Sequence, residues 1–389
     1  MKTKLIIDAS NIRDGGGVTH LVELLNNISK ATVKFDIIEV FSNNNTLSKI
    51  NDQSWIEKKT HPWLEKGTIF ISFWKKIHFH RYLKKTTKRT VLFNPAGTYS
   101  GKFNPHIEMS QNMLIWDSIE SDRYGKLSLM KFKFRLLRYF QKKAFNNSKG
   151  IIFISNYAKD TVLKFLNKDL TSCPIIHHGV NQKFSEDVKK QKDVSKYKKE
   201  QPYNLLYISP ITVYKHQITL IKGAISLYKE GYNFKLNLVG GSYPPYYKKY
   251  LKEFQSNDLY DKVVNFHGKV DYEEIENFYK TSDGFIFAST CENMPNILIE
   301  AMLSGLPILC SNYQPMPEFL GAKHPFYFDP TNQKSVYENL KYFLEHSEQR
   351  EKSAKVAKSK AKEFSWKECS KQTIEYLYKN INNYDIEQF

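Results

Sequence analysis

Thr3-Lys4-Leu5-Ile6-Ile7-Asp8-Ala9, then Ser10-Asn11-Ile12-Arg13-Asp14-Gly15-Gly16-Gly17, is the stretch that sets the fold class. The first seven residues read as a short buried strand, and the next eight as a loop ending in three glycines. An apolar stripe follows at Val18, Leu21, Val22, Leu24, Leu25 and Ile28, a helical spacing. Strand, glycine loop and helix in this order open a parallel α/β domain. Further short apolar runs at 36–41, 68–73, 91–93 and 151–154 alternate with polar helical stretches. That rhythm predicts strands at those runs and a doubly wound sheet.

Beyond Phe184 the chain turns polar, Ser-Glu-Asp-Val-Lys-Lys-Gln-Lys-Asp-Val-Ser-Lys-Tyr-Lys-Lys-Glu-Gln-Pro, and residues 184–202 read as an interdomain linker. The α/β rhythm then restarts. Strands are expected at Asn204–Ile208, Lys235–Val239, Val263–Phe266, Gly284–Ala288 and Pro307–Cys310. Helices are expected at Ile218–Glu230, Pro244–Asn257, Tyr272–Thr281, Pro295–Ser304 and Ser335–Leu344. The resulting division is a Rossmann-like domain over 1–183, a second over 203–365, and a terminal helix, 366–389, packing back toward the first. Ligands of such sheets bind beyond the carboxyl ends of the strands, so a cleft between the two domains is the expected site.

The 389 residues are 41% hydrophobic and 14% aromatic, which excludes a disordered chain. Four cysteines without a CxxC pair argue against a disulfide framework or a thiolate zinc site and suit a reducing compartment. No apolar run approaches the ~20 residues that span a bilayer, and Asp8 comes too early for a signal-peptide core. A soluble, cytoplasmic protein is expected. Its formal net charge is +18, and all of the excess lies in residues 1–200, which hold 36 Lys+Arg against 18 Asp+Glu. Residues 201–389 hold 22 of each. One half facing a polyanion, either a nucleic acid or an anionic membrane, would explain the asymmetry. No zinc-finger spacing or RNP-like signature favours nucleic acid. The stretches 73–85 and 128–143 are basic and aromatic, as in segments that lie on anionic lipid, although ordinary helices burying an apolar side share the pattern.

The segment 289–307, Ser-Thr-Cys-Glu-Asn-Met-Pro-Asn-Ile-Leu-Ile-Glu-Ala-Met-Leu-Ser-Gly-Leu-Pro, follows a strand and starts a helix near Pro295. Glu292 falls in the turn and Glu300 inside the helix. Carboxylates accept hydrogen bonds from sugar hydroxyls, and helix N-terminal amides suit anions. Alone, two glutamates at this spacing are common surface residues.

In its full context, this segment resembles the E-x7-E signature of retaining GT-B glycosyltransferases of family 4 (group 1). The likeness extends to Tyr279–Ser289, Asn265–Val270, Leu205–Pro210 with Tyr214–His216, and Ile175–Asn181. It implies a GT-B architecture of two Rossmann-like domains facing a cleft. It also implies transfer of a sugar from a nucleotide-sugar, UDP- or GDP-linked, with retention and without a metal; the chain contains no Asp-x-Asp. By the resemblance, Glu300 would bond the ribose hydroxyls, and Glu292 with the backbone of Asn293, Met294 and Asn296 would hold the sugar. Lys215 would neutralise the leaving diphosphate, with Ser209 and Gly240 completing the donor site. The family's usual arginine is replaced by Pro210, which leaves Lys215 as the sole clear cation. Gly15, Gly16 and Gly17 would approach the diphosphate or the acceptor, or serve only as a turn. Asn112 stands where the family places a group over the donor sugar, or is a buried structural asparagine. The expected acceptor is a lipid-linked saccharide of bacterial O-antigen or capsule synthesis, met at the inner face of the membrane; a soluble acceptor is the alternative.

Overall fold

The computed structural model describes residues 2–86, 89–125, 127–167 and 173–386. The chain divides into two compact units. The first comprises Met1–Trp116, Phe132–Gly179 and Phe364–Phe389, and the second Asp117–Lys131 and Val180–Glu363.

The first unit is built on six parallel strands: β1 (Lys4–Asp8), β2 (Ile37–Phe41), β3 (Ile56–Lys59), β4 (Thr90–Asn94), β5 (His106–Ser110) and β6 (Gly150–Phe153). Their order is β3-β2-β1-β4-β5-β6. The chain order reverses between β1 and β4, where Asn94 Nδ2 donates to Asp8 Oδ2 at 3.0 Å. Helix Gly15–Asn26 connects β1 to β2, while helix Leu129–Asn147 connects β5 to β6 in the opposite direction along the sheet. Because parallel crossovers share one hand, these helices cover opposite faces. The helical run 68–84 connects β3 to β4 in the same direction as Leu129–Asn147, so both cover one face. There Ile71, Trp74, Phe79 and Leu83 pack on Ile6, Phe41 and Leu92. Helix Trp366–Ile386 lies on helix Gly15–Asn26 and β4. Its first turn presses on Gly179, where a Cβ would stand 2.0 Å from the Trp366 nitrogen.

The expected strand at 68–73 is instead helix, Thr68–Trp74. Thr-Ile-Phe-Ile-Ser-Phe-Trp buries only Ile71 and Trp74, three residues apart, and leaves Ile69, Phe70 and Phe73 exposed. A short continuous apolar run fits either state, and helical packing of two residues decided this one.

The second unit repeats the arrangement with β7 (Tyr203–Ile208), β8 (Phe234–Val239), β9 (Val264–Gly268), β10 (Gly284–Phe287), β11 (Ile308–Ser311) and β12 (Tyr327–Phe328), ordered β12-β11-β10-β7-β8-β9. All strands are again parallel. Residues 184–202 are not a free linker but are pinned along this unit. Phe184 and Val194 are buried. The fully buried Arg350 donates to the carbonyls of Phe343, Leu344 and Lys192 at 2.6, 2.5 and 2.7 Å, and to Gln191 Oε1 at 3.1 Å. The four cysteines are buried and free, and no helix among the described residues is long and apolar enough to cross a membrane.

Candidate active site

The second sheet reverses its order between β7 and β10, and the loops leaving those two strands carry the candidate chemistry. Such a switch point opens a crevice at the strand ends. The β7 loop turns through Val213–Lys215 into His216, which takes a left-handed conformation (φ 52°) before helix Gln217–Lys229. Gln217 Nε2 ties the loop down by donating to Ser209 Oγ at 2.9 Å and to the Pro210 carbonyl at 3.0 Å. Gly240, leaving β8 with φ 143°, lies so close that a Cβ would stand 2.4 Å from the Ser209 oxygen. Ser209 and Gly240 thus stand in backbone contact where β7 and β8 end.

Lys215 is buried, and its ammonium bonds to the Glu292 carboxylate from the β10 loop. The Tyr207 hydroxyl donates to the Lys215 carbonyl at 2.8 Å and fixes its backbone. Burial works against the charge on Lys215, but Glu292 more than offsets it and holds the lysine above its ordinary pKa. The sequence placed both residues at the site. It did not foresee that they pair.

The β10 loop continues through the buried Asn293 and Met294 to Pro295, the residue before helix Asn296–Leu303. Glu300, on that helix, is buried, and the Tyr279 hydroxyl donates to its Oε2 at 3.2 Å. Desolvation raises the Glu300 carboxyl to about 7, opposed by Tyr279, Lys183 and Tyr272. Lys183 lies 3.9 Å from the centre of the Tyr272 ring. Burial thus holds the Glu300 carboxyl above its ordinary range, and two tyrosines and a lysine flank it. Tyr279 begins a segment included in the likeness but has no role assigned there, and the sequence does not single out Tyr272 and Lys183 as site residues.

In the first unit, Gly15 (φ 63°) starts helix Gly15–Asn26, with exposed Asp14 before it making no side-chain cap. Asn112 is exposed and accepts from the Leu114 N–H at 3.0 Å, so it is a turn residue and not a buried one. Its neighbour Gln111 faces the glycine loop, with Oε1 3.7 Å from where a Gly17 Cβ would lie and Nε2 3.2 Å from His20 Nδ1.

Lys215 is also not the only cation at these loops. Asp117–Lys131 belongs to the second unit, and Arg123 there pairs with the buried Glu120 through Nε at 3.0 Å. Glu120 lies beside the Thr290 hydroxyl, and Thr290 Oγ1 pairs with His216 Nε2 at 3.0 Å. The Tyr124 and Tyr243 rings meet at 5.6 Å. Burial, helped by Arg123, lowers His216 to about 4, so it is neutral at pH 7. The described residues contain no cluster of His, Cys, Asp and Glu able to hold a metal ion.

Residues 188–360 match the family of glycosyl transferases group 1. The O-antigen chain mannosyltransferase B of Escherichia coli is 29% identical over 111 residues, which are 28% of this chain and 29% of that protein. The chain therefore matches less than a third of this relative's length. Sucrose-phosphate synthase from Thermosynechococcus elongatus superposes with a TM-score of 0.72 at 15% identity, covering 98% of this chain and 100% of that one. Anabaena HepE in complex with UDP and glucose gives 0.70 at 14%, covering 96% and 99%. The architecture is GT-B, and residues 188–360, within the second unit, are similar to glycosyl transferases group 1.

Proposed function

We propose, from the likeness of residues 188–360 to glycosyl transferases group 1, that the chain moves a hexose-type sugar from a nucleotide-sugar to a lipid-linked saccharide, with retention of configuration. The observation that carries this reading is the pair of buried Lys215 with partly exposed Glu292 at the switch point, with Glu300 one helix turn and more beyond it. A donor diphosphate would take Lys215 from Glu292 and leave the carboxylate free to accept from sugar hydroxyls. Lys215 then offsets charge that grows on the departing phosphate, a preorganised contribution to the transition state. Glu300 accepts from the ribose hydroxyls, and Ser209 and Gly240 let the phosphates approach the backbone. With retention, the acceptor hydroxyl attacks from the face the phosphate leaves, and that phosphate takes the acceptor's proton. No step calls on a metal. HepE holding UDP and glucose supports a nucleotide-sugar donor.

The O-antigen chain mannosyltransferase relative supports an acceptor in bacterial surface-polysaccharide synthesis, and the surface chemistry of the first unit supports a lipid-linked one. The face covered by helices 68–84 and Leu129–Asn147 exposes Phe70, Phe73, Ile77, Phe132, Leu136 and Tyr139. No acidic residue occurs from Lys66 to Ile107 or from Arg123 to Lys159. Apolar side chains amid stretches rich in lysine and arginine suit an anionic bilayer, although Lys75 and Lys131 are paired with Asp8 and Asp122. The likeness to sucrose-phosphate synthase favours the second reading, a soluble acceptor.

The test is calorimetry with UDP and GDP, followed by transfer assays with their common sugars. Glu292→Ala should lower turnover more than bare-nucleotide affinity; equal losses would contradict its role at the sugar. Transfer should survive EDTA. Loss on chelation, restored by magnesium or manganese, would refute a metal-free reaction.

A further inference from the structure

We propose that Arg123 is the second cation of the donor diphosphate subsite, delivered to the second unit by the segment Asp117–Lys131. The inference rests on the nucleotide-sugar reading above and deepens it.

The argument starts from charge. A nucleoside diphosphate brings two to three negative charges, and Lys215, the lysine of the β7 loop, is already matched by Glu292. His216 is neutral at pH 7. A further cation is required, and Arg123 is tied to the same loops through Glu120, Thr290 and His216. The way Glu120 holds it matters. Both carboxylate oxygens lie 3.0 Å from Nε. Among the described residues no hydrogen bond or ion pair engages Nη1 or Nη2. The guanidinium is thus braced at its side with its fork open, the geometry for bidentate phosphate binding. Burial also raises the Glu120 carboxyl above its ordinary range, against the pull of Arg123. Arg123 remains about a third exposed, open to a ligand, while Glu120 is buried. The segment is anchored as well: Asp117 Oδ1 accepts from the Glu120 N–H at 3.0 Å, and Tyr124 packs on Tyr243, which precedes the helix after β8.

The test compares UDP and UMP, and GDP and GMP, by calorimetry on the full chain. Wild type should bind one diphosphate well above its monophosphate. Arg123→Ala should lower diphosphate affinity about ten- to a hundredfold, the range of a charge-assisted contact, and barely change the monophosphate. Arg123→Lys, which keeps the charge but not the fork, should fall between. Adding Pro210→Arg to Arg123→Ala should recover part of the loss, because Pro210 is exposed on the same loop. Arg123→Ala binding the diphosphate as tightly as wild type would overturn the assignment and leave the donor reading intact. Equal losses for mono- and diphosphate would also overturn it, since they would mark a structural role. Wild type binding neither diphosphate would overturn both.

Discussion

Lys215 and Glu300 show one environment, burial, with opposite results. Lys215 keeps its charge because a carboxylate meets it; Glu300 is met by tyrosine hydroxyls and is pushed to about 7. Lys215→Ala should cut turnover by about 10²–10³, the usual cost of a preorganised group facing developing charge. Steady-state kinetics with the identified donor measures this, and a near-wild-type rate would remove Lys215 from the reaction. Glu300 carries a stability consequence. Between pH 4.5 and 7 the folded protein retains a proton that the unfolded chain, with an ordinary carboxyl, has released. Stability therefore falls as pH rises through that window and is level above it. The full difference is on the order of 3 kcal/mol at 1.36 kcal/mol per pH unit. Glu300→Gln should accordingly melt higher than wild type at pH 8 and lose nucleotide affinity. Parallel melting curves for the two proteins from pH 5 to 8 would contradict the buried-carboxyl account.

At the scale of elements, what the sequence made legible follows a physical line. β7, β8, β10 and β11 of the second unit are largely apolar runs buried on both faces, and each expected strand, the half-exposed β9 included, lies within a residue or two of its observed place. β3 escaped notice because Ile-Glu-Lys-Lys is a half-exposed strand at the edge of the sheet, with no apolar pattern. β5 escaped because His106 and Glu108 are fully buried inside it, polar residues where the reading looked for apolar ones. Glu292, Glu300 and Lys215 were singled out by resemblance, and the fold pairs the first with the last; Arg123 reaches these loops only through folding. Arg350 belongs with Arg123: in sequence it is one charge in a polar helix. In the fold it staples residues 191–192 to the end of the preceding helix. Arg350→Met should strand three carbonyls and cost about 3–5 kcal/mol, as breaking buried charged contacts does, lowering the melting temperature by roughly 10 °C. A shift of only a degree or two would show the stretch to be held by other means.

For the whole molecule, the asymmetric charge becomes a testable surface. Flotation with vesicles of increasing anionic lipid should recover the protein at low salt and release it near 1 M, where the Debye length falls to ~3 Å. A Lys133/Arg135/Lys143→Ser variant, altered only at exposed positions, should float less. Equal flotation of the variant would move the dock elsewhere, and no flotation of wild type would favour the soluble acceptor. The passage of the chain between units has a further consequence, one of timing. Everything the second unit needs has been synthesised by Glu363, but the first still lacks helix Trp366–Ile386, with Ser370 Oγ at the Leu24 carbonyl and Trp366 against Gly179. The half translated first is therefore finished last, and during synthesis its apolar face over helix Gly15–Asn26 and β4 waits uncovered. A fragment ending at Tyr203 should be poorly protected in hydrogen exchange and gain protection when a peptide of residues 364–389 is supplied. Full protection of the fragment alone would mean the closing helix arrives at a domain already made.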